Sequence, residues 1–205
     1  MTQSHFPNSL LSPAKGTLSV DCGIALQQSA QVPIDHALIL GGARSGKSRF
    51  AERLARSRNL RLVYVATAEA HDDEMADRIS RHRAERGSDW QTIESPINLP
   101  ATIASMTCAR TVILVDCLTL WLSNLMLLDH DINKATDGLL AAVAAAPGPV
   151  IMVANEVGLG IVPENALARR FRDEAGLMNQ QLAANVPNVA FIAAGMPICL
   201  KGKLE

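Results

Sequence analysis

The chain has 205 residues, 48% of them hydrophobic, and a formal net charge of −1. That length and composition fit one globular domain with a sizeable core and exclude a mainly disordered chain. The near-neutral balance, with no polybasic cluster, argues against a nucleic-acid binder or a membrane-surface protein.

Residues 1–34 mix Ser, Pro, Gly and Gln with short apolar pieces and show no period. They read as a partly disordered extension ahead of a catalytic domain spanning 35–205. No charged region followed by an apolar one opens the chain, so no secretory signal is expected. From residue 36 onward strand and helix signals alternate. Residues 37–40 are a short apolar run ending in glycines, hence a buried strand, and 48–57 read as a helix. A second strand is predicted at 61–66 and a densely charged helix at 72–86. A third strand falls at 111–115, followed by a largely apolar helix at 118–128. Within 112–128, Asp116, Ser123 and Asn124 interrupt the apolar run, which falls short of the about 20 residues a bilayer span needs, so no membrane anchor is expected. A helix at 134–146 is stopped by Pro147-Gly148-Pro149. A strand at 150–153, a long helix at 164–185 and a strand at 189–194 complete the series. Apolar strands alternating with helices predict an α/β fold: a mostly parallel sheet with helices on both faces. The four cysteines, Cys22, Cys108, Cys117 and Cys199, show no CxxC spacing and read as reduced thiols of a cytoplasmic protein.

The segment Gly41-Gly42-Ala43-Arg44-Ser45-Gly46-Lys47-Ser48 fulfils G-x-x-x-x-G-K-[ST] between a predicted strand and a predicted helix, the context a phosphate-binding loop requires. The glycines let successive backbone N–H groups turn inward, and the helix start adds the positive end of its dipole. Lys47 is expected to reach the β- and γ-phosphates and Ser48 to ligate magnesium. Asp116, closing the apolar strand at 111–115, is the expected second magnesium residue, although a carboxylate there also serves as a helix cap. In the charged helix, residues 78, 81 and 82 share a face. Spacing alone reads that helix as solvated. The neighbouring arginines would disfavour an imidazolium at His82, leave it a neutral nucleophile and stabilise a phosphate attached to it. Asn155-Glu156-Val157-Gly158 follows a strand directly, so Asn155 and Glu156 either line a ligand site or form a glycine turn. Arg169, Arg170, Arg172 and Asp173 could face substrate, a neighbouring subunit or solvent.

The loop GGARSGKSRFAE, the segment VYVATAEAHDDEMADRISRHRAER, the run WQTIESP, the strand VILVDCLTLWLSNL and the segment VIMVANEVGLGIVPENALARRFRDEAGLMNQQLA together resemble the bifunctional adenosylcobinamide kinase/adenosylcobinamide-phosphate guanylyltransferase of cobalamin biosynthesis. The resemblance runs over residues 36–198. It implies a P-loop fold and a transferase that phosphorylates adenosylcobinamide from ATP or GTP. It further implies transfer of GMP from GTP, through a covalent intermediate on His82, to adenosylcobinamide phosphate. Nucleotide contacts are implied at Gly41 to Ser48, at Ala66, Thr67 and Ala68, at Arg83, Ala84, Glu85 and Arg86, and at Glu94 and Asp116. Some relatives carry glutamate where this chain has Asp116. A homo-oligomer, a trimer, is implied as well. Residues 1–34 match nothing in the family core. Two rival readings stand beside this one. The first is a P-loop kinase of another small molecule with a structural His82, and the second is a nucleotide-dependent switch protein, which the absence of an N-K-x-D signature disfavours.

Overall fold

A computed structural model of the chain describes residues 35–68 and 87–203. The predicted extension at 1–34 and the predicted charged helix at 72–86 lie outside the described residues.

Among the described residues, seven strands form one sheet: β1 (Ala37–Gly41), β2 (Arg61–Ala66), β3 (Trp90–Glu94), β4 (Thr111–Asp116), β5 (Val150–Asn155), β6 (Asn188–Ala193) and β7 (Met196–Lys201). Their order is β3-β2-β4-β5-β1-β6-β7. All neighbouring pairs are parallel except β6 with β7. The aliphatic runs of β1, β4 and β5 are buried almost throughout, as strands covered on both faces must be.

Five helices are described: α1 (Lys47–Ser57), α2 (Leu99–Met106), α3 (Leu118–Leu127), α4 (Ile132–Ala145) and α5 (Ala166–Asn185). Asp131 and Asn165 cap α4 and α5, each accepting a backbone N–H three residues on, at 3.0 and 3.1 Å. Pro100 sits in the first turn of α2, where its missing N–H is no loss. On one face of the sheet, Ala51, Leu54 and Ala55 of α1 pack against Ile39, Tyr64, Leu114 and Val153. The opposite face is covered by α2, α3, α4 and α5 through Ile103, Trp121, Leu139, Met178 and Leu182.

The predicted strands and helices outside 72–86 are all present, with ends moved by a residue or two. The sequence reading passed over β3, α2 and β7. In β3 only Trp90 is buried, so the strand lacks an apolar run; its indole meets Tyr64 edge-on with ring centres 6.0 Å apart. Every residue of β7 is exposed. Its Pro197 fits an edge strand, where an absent N–H costs no ladder bond.

At the N-terminal edge of the parallel sheet, the Asn188 side chain ties two chain segments together. Its Nδ2 donates to Asp35 Oδ1 and to the His36 carbonyl, both at 3.3 Å, and its Oδ1 accepts the Lys203 N–H at 3.0 Å.

Candidate active site

β1 and β5 are neighbours, yet the helices that follow them cross to opposite faces, α1 to one and α5 to the other. A crevice opens at the C-terminal edge of a sheet where this happens, and open α/β sheets bind their ligands there. The segment Gly41 to Ser48 fills that position.

The loop is shaped by its backbone. Arg44 and Gly46 are left-handed, with φ of 56° and 94°. A Cβ on Gly46 would also lie 3.2 Å from Gly195 Cα, so both conformation and space call for glycine there. At Gly41 a Cβ would lie 2.7 Å from the Ile192 carbonyl oxygen. Three backbone bonds hold the loop: Ser45 N–H to Gly42 O at 3.3 Å, Glu156 N–H to Gly41 O at 3.0 Å, and Gly195 N–H to Ser45 O at 2.8 Å. The last two come from the segments after β5 and β6, on either side of β1. No side chain caps α1 at Gly46, so an anion at the helix start would satisfy first-turn N–H groups that no cap engages. Lys47 Nζ donates to Gly42 O at 3.1 Å, folded over the loop.

The ends of β2 and β4 are built differently. Thr67 is buried and its hydroxyl works both ways, donating to Cys117 O at 2.6 Å and accepting Cys117 N–H at 2.8 Å. Asn124 of α3, also buried, donates from Nδ2 to Thr67 O at 2.9 Å and to Pro96 O at 3.1 Å. Trp121 Nε1 donates to Ile97 O at 2.8 Å, and Ser95 N–H to Ala66 O at 2.8 Å. Farther along, Thr119 Oγ1 accepts the Asn155 N–H at 2.6 Å, pinning the end of β5 to the start of α3.

Strand register aligns the carboxylates. Ala66 pairs with Glu94 on one side and Asp116 on the other, and directly paired residues share a face. Tyr64, two residues back, packs on the α1 side, so this row faces α1. Asp116 is half-buried and Glu94 exposed. The two strand spacings between them amount to about 10 Å of backbone. Burial, and then the Asp116 charge, push the Cys117 thiol up to about 11, while the Lys47 charge opposes that shift. Lys47 and Asp116 therefore both act on the ground around Cys117, and the thiol itself is protonated and inert as a nucleophile. The Asp116–Cys117 peptide is cis.

The structure thus brings Gly41 to Ser48, Ala66, Thr67, Ala68, Glu94 and Asp116 to one edge of the sheet. His82, Arg83, Ala84, Glu85 and Arg86 lie outside the described residues. Asn155 and Glu156 sit at the switch point, Glu156 with its Oε1 accepting Gly158 N–H at 2.5 Å. The arginines of α5 make local contacts. Arg169 donates to the Pro163 and Glu164 carbonyls, Arg170 faces Glu174 and Arg172 pairs with Asp173. Sequence reasoning missed Asn124 as a site-shaping residue. It is the one amide in a largely apolar helix that also holds Thr119 and Ser123.

Residues 37–200 match the family described as cobinamide kinase / cobinamide phosphate guanyltransferase. The chain is 50% identical to the bifunctional adenosylcobalamin biosynthesis protein CobP of Pseudomonas aeruginosa over 168 residues, 81% of this chain and 97% of that one. It is 40% identical to the bifunctional adenosylcobalamin biosynthesis protein CobU of Escherichia coli over 179 residues, 80% of this chain and 98% of that one. Among solved structures, the flagellar accessory protein FlaH of Methanocaldococcus jannaschii is 15% identical at a TM-score of 0.43, covering 82% of this chain and 79% of that one.

Proposed function

The chain belongs to the cobinamide kinase / cobinamide phosphate guanyltransferase family, and on that premise we propose that it performs both reactions at the edge of the sheet described above. In the first, the aminopropanol hydroxyl of adenosylcobinamide attacks the γ-phosphorus of ATP or GTP, the bond to the bridging oxygen breaks and the nucleoside diphosphate leaves. In the second, His82 attacks the α-phosphorus of GTP and pyrophosphate leaves. A phosphate oxygen of adenosylcobinamide phosphate then takes the GMP from His82, giving adenosylcobinamide-GDP. Splitting the transfer in two lowers each barrier.

The observation that carries this reading is the phosphate loop at the switch point, with its backbone held from both sides, the start of α1 without a side-chain cap and Lys47 folded over it. Lys47 is the catalytic cation: released from Gly42 O, its ammonium would follow the charge developing on the transferred group. Ala66, Thr67, Ala68, Glu94 and Arg83 to Arg86 are proposed nucleotide contacts. The donor set suits magnesium. Ser48 offers a hydroxyl and Asp116 a carboxylate on the face that α1 covers. Few protein oxygens, completed by phosphate and water, are what Mg2+ commonly takes. When bound, the ion would neutralise charge on the phosphate oxygens. No helix among the described residues is long and apolar enough to cross a membrane. A cytoplasmic homo-oligomer, a trimer, completes the proposal, and sedimentation equilibrium reads that state.

The test is incubation with GTP labelled at the α-phosphate, with and without adenosylcobinamide, followed by peptide mapping. An acid-labile, alkali-stable GMP adduct on His82 is expected, as a phosphoramidate has that stability. Adduct formation undiminished in His82→Ala would remove His82 from the mechanism.

A further inference from the structure

The acceptor in the proposed reaction carries a corrin macrocycle, with apolar ring carbons and methyl groups among its amides, far larger than the hydroxyl it presents. Its body must rest against whatever flanks the mouth of the phosphate loop. Two segments do so, one on each side of β1, and each is bonded directly to the loop.

On the β5 side, Glu156 donates its N–H to Gly41 O, and the chain runs on through Leu159, Ile161 and Val162. These three are 83%, 97% and 58% exposed. On the β6 side, Gly195 donates its N–H to Ser45 O, and the next residue, Met196, is 65% exposed. Isolated apolar side chains on a surface mean little, but several exposed ones carried by the two segments bonded to the loop point to a binding surface. The β5-side loop is fixed at both ends. Glu156 Oε1 accepts Gly158 N–H at its start. At its far end Arg169 donates to the Pro163 and Glu164 carbonyls, and Asn165 caps α5. The apolar side chains are thus held out on an ordered base, which limits the entropy lost on binding.

We infer that Leu159, Ile161 and Val162, with Met196 opposite, form an apolar bracket that seats the corrin macrocycle of the acceptor while its side-chain hydroxyl reaches the phosphate loop. This inference rests on the proposed reaction. The bracket grips the acceptor and leaves the nucleotide to the loop, so the two affinities separate.

The experiment compares wild type with Leu159→Ser/Ile161→Ser and with Met196→Ser. It measures the KM for adenosylcobinamide, the Kd for GTP and the sedimentation coefficient of each. Removing exposed side chains that become covered only on binding should raise the acceptor KM about tenfold or more in the double variant. GTP affinity and sedimentation should stay as in wild type, and Leu159→Met/Ile161→Val should restore the acceptor KM. An unchanged acceptor KM in the double variant would overturn the bracket. So would a shift in sedimentation, which would assign the patch to contact between copies of the chain. If the wild type does not phosphorylate adenosylcobinamide, the underlying reaction fails; if it does and the variants keep the wild-type acceptor KM, the bracket alone fails.

Discussion

The end of β1 and the ends of β2 and β4 lie on one edge of one sheet, yet they are built from different material. At β1 the chain is shaped by main-chain atoms: left-handed Arg44 and Gly46, and N–H groups from Glu156 and Gly195 holding the loop from either side. At β2 and β4 side chains do the fastening, with Thr67 clamping Cys117 and Asn124 joining two loops. The contrast follows from what each end must hold. A phosphate is gripped by many N–H donors at once, which only a bent main chain presents. A carboxylate such as Asp116 needs one fixed direction, which a few buried hydrogen bonds provide.

The largest effect should come from breaking the first end. Lys47→Ala should lower acceptor-dependent turnover about 10²–10³-fold, since it removes a charge aimed at the transferred group, and a steady-state assay reads the loss. Gly46→Ala forces a side chain into a φ of 94° and against Gly195 Cα. It should cost about 1–3 kcal/mol in urea unfolding and weaken GTP binding measured by calorimetry.

Breaking the second end should act on stability first. Asn124→Leu leaves the Thr67 and Pro96 carbonyls without this buried donor, a loss of about 1–3 kcal/mol in urea unfolding. Thr67→Val strips the Cys117 N–H of its acceptor and should lose a comparable amount. If either variant instead keeps full stability and loses only turnover, the division between the two ends is wrong.

The smallest effect concerns the opposite edge. His36 is buried, and its Nδ1 accepts the Val150 N–H at 3.2 Å. Burial lowers its pKa from 6.5, against the Asp35 charge, which raises it. The unfolded chain therefore binds the proton first as pH falls. Stability should be fullest above 6.5 and decline below it, towards the lowered native value. Thermal melts between pH 5 and 8 should show that decline in wild type and a flatter profile in His36→Gln, with turnover at neutral pH little altered in both.

The same contrast explains what could be read from the residues alone. The β1 end was legible because glycine and lysine at fixed spacing encode backbone geometry within eight residues. The strands behind it were legible because parallel strands covered on both faces are continuously apolar. The clamp at β2 was not, because Thr67 and Asn124 are 57 residues apart and neither carries a local pattern. β3 and β7 escaped for a related reason: a half-exposed strand and a fully exposed edge lack the burial that makes strands apolar.

The reversed direction of β7 has a topological consequence. A parallel last strand would have ended beside the phosphate loop. The antiparallel one returns the chain to the far edge, where Asn188 bonds to Asp35, His36 and Lys203 at once. The two ends of the described domain are thus neighbours, and the order of its segments can be rewired. A circular permutant joining residue 203 to residue 35 by a short linker, and reopened at the exposed Asp129-His130 turn, should fold with its nucleotide affinity intact.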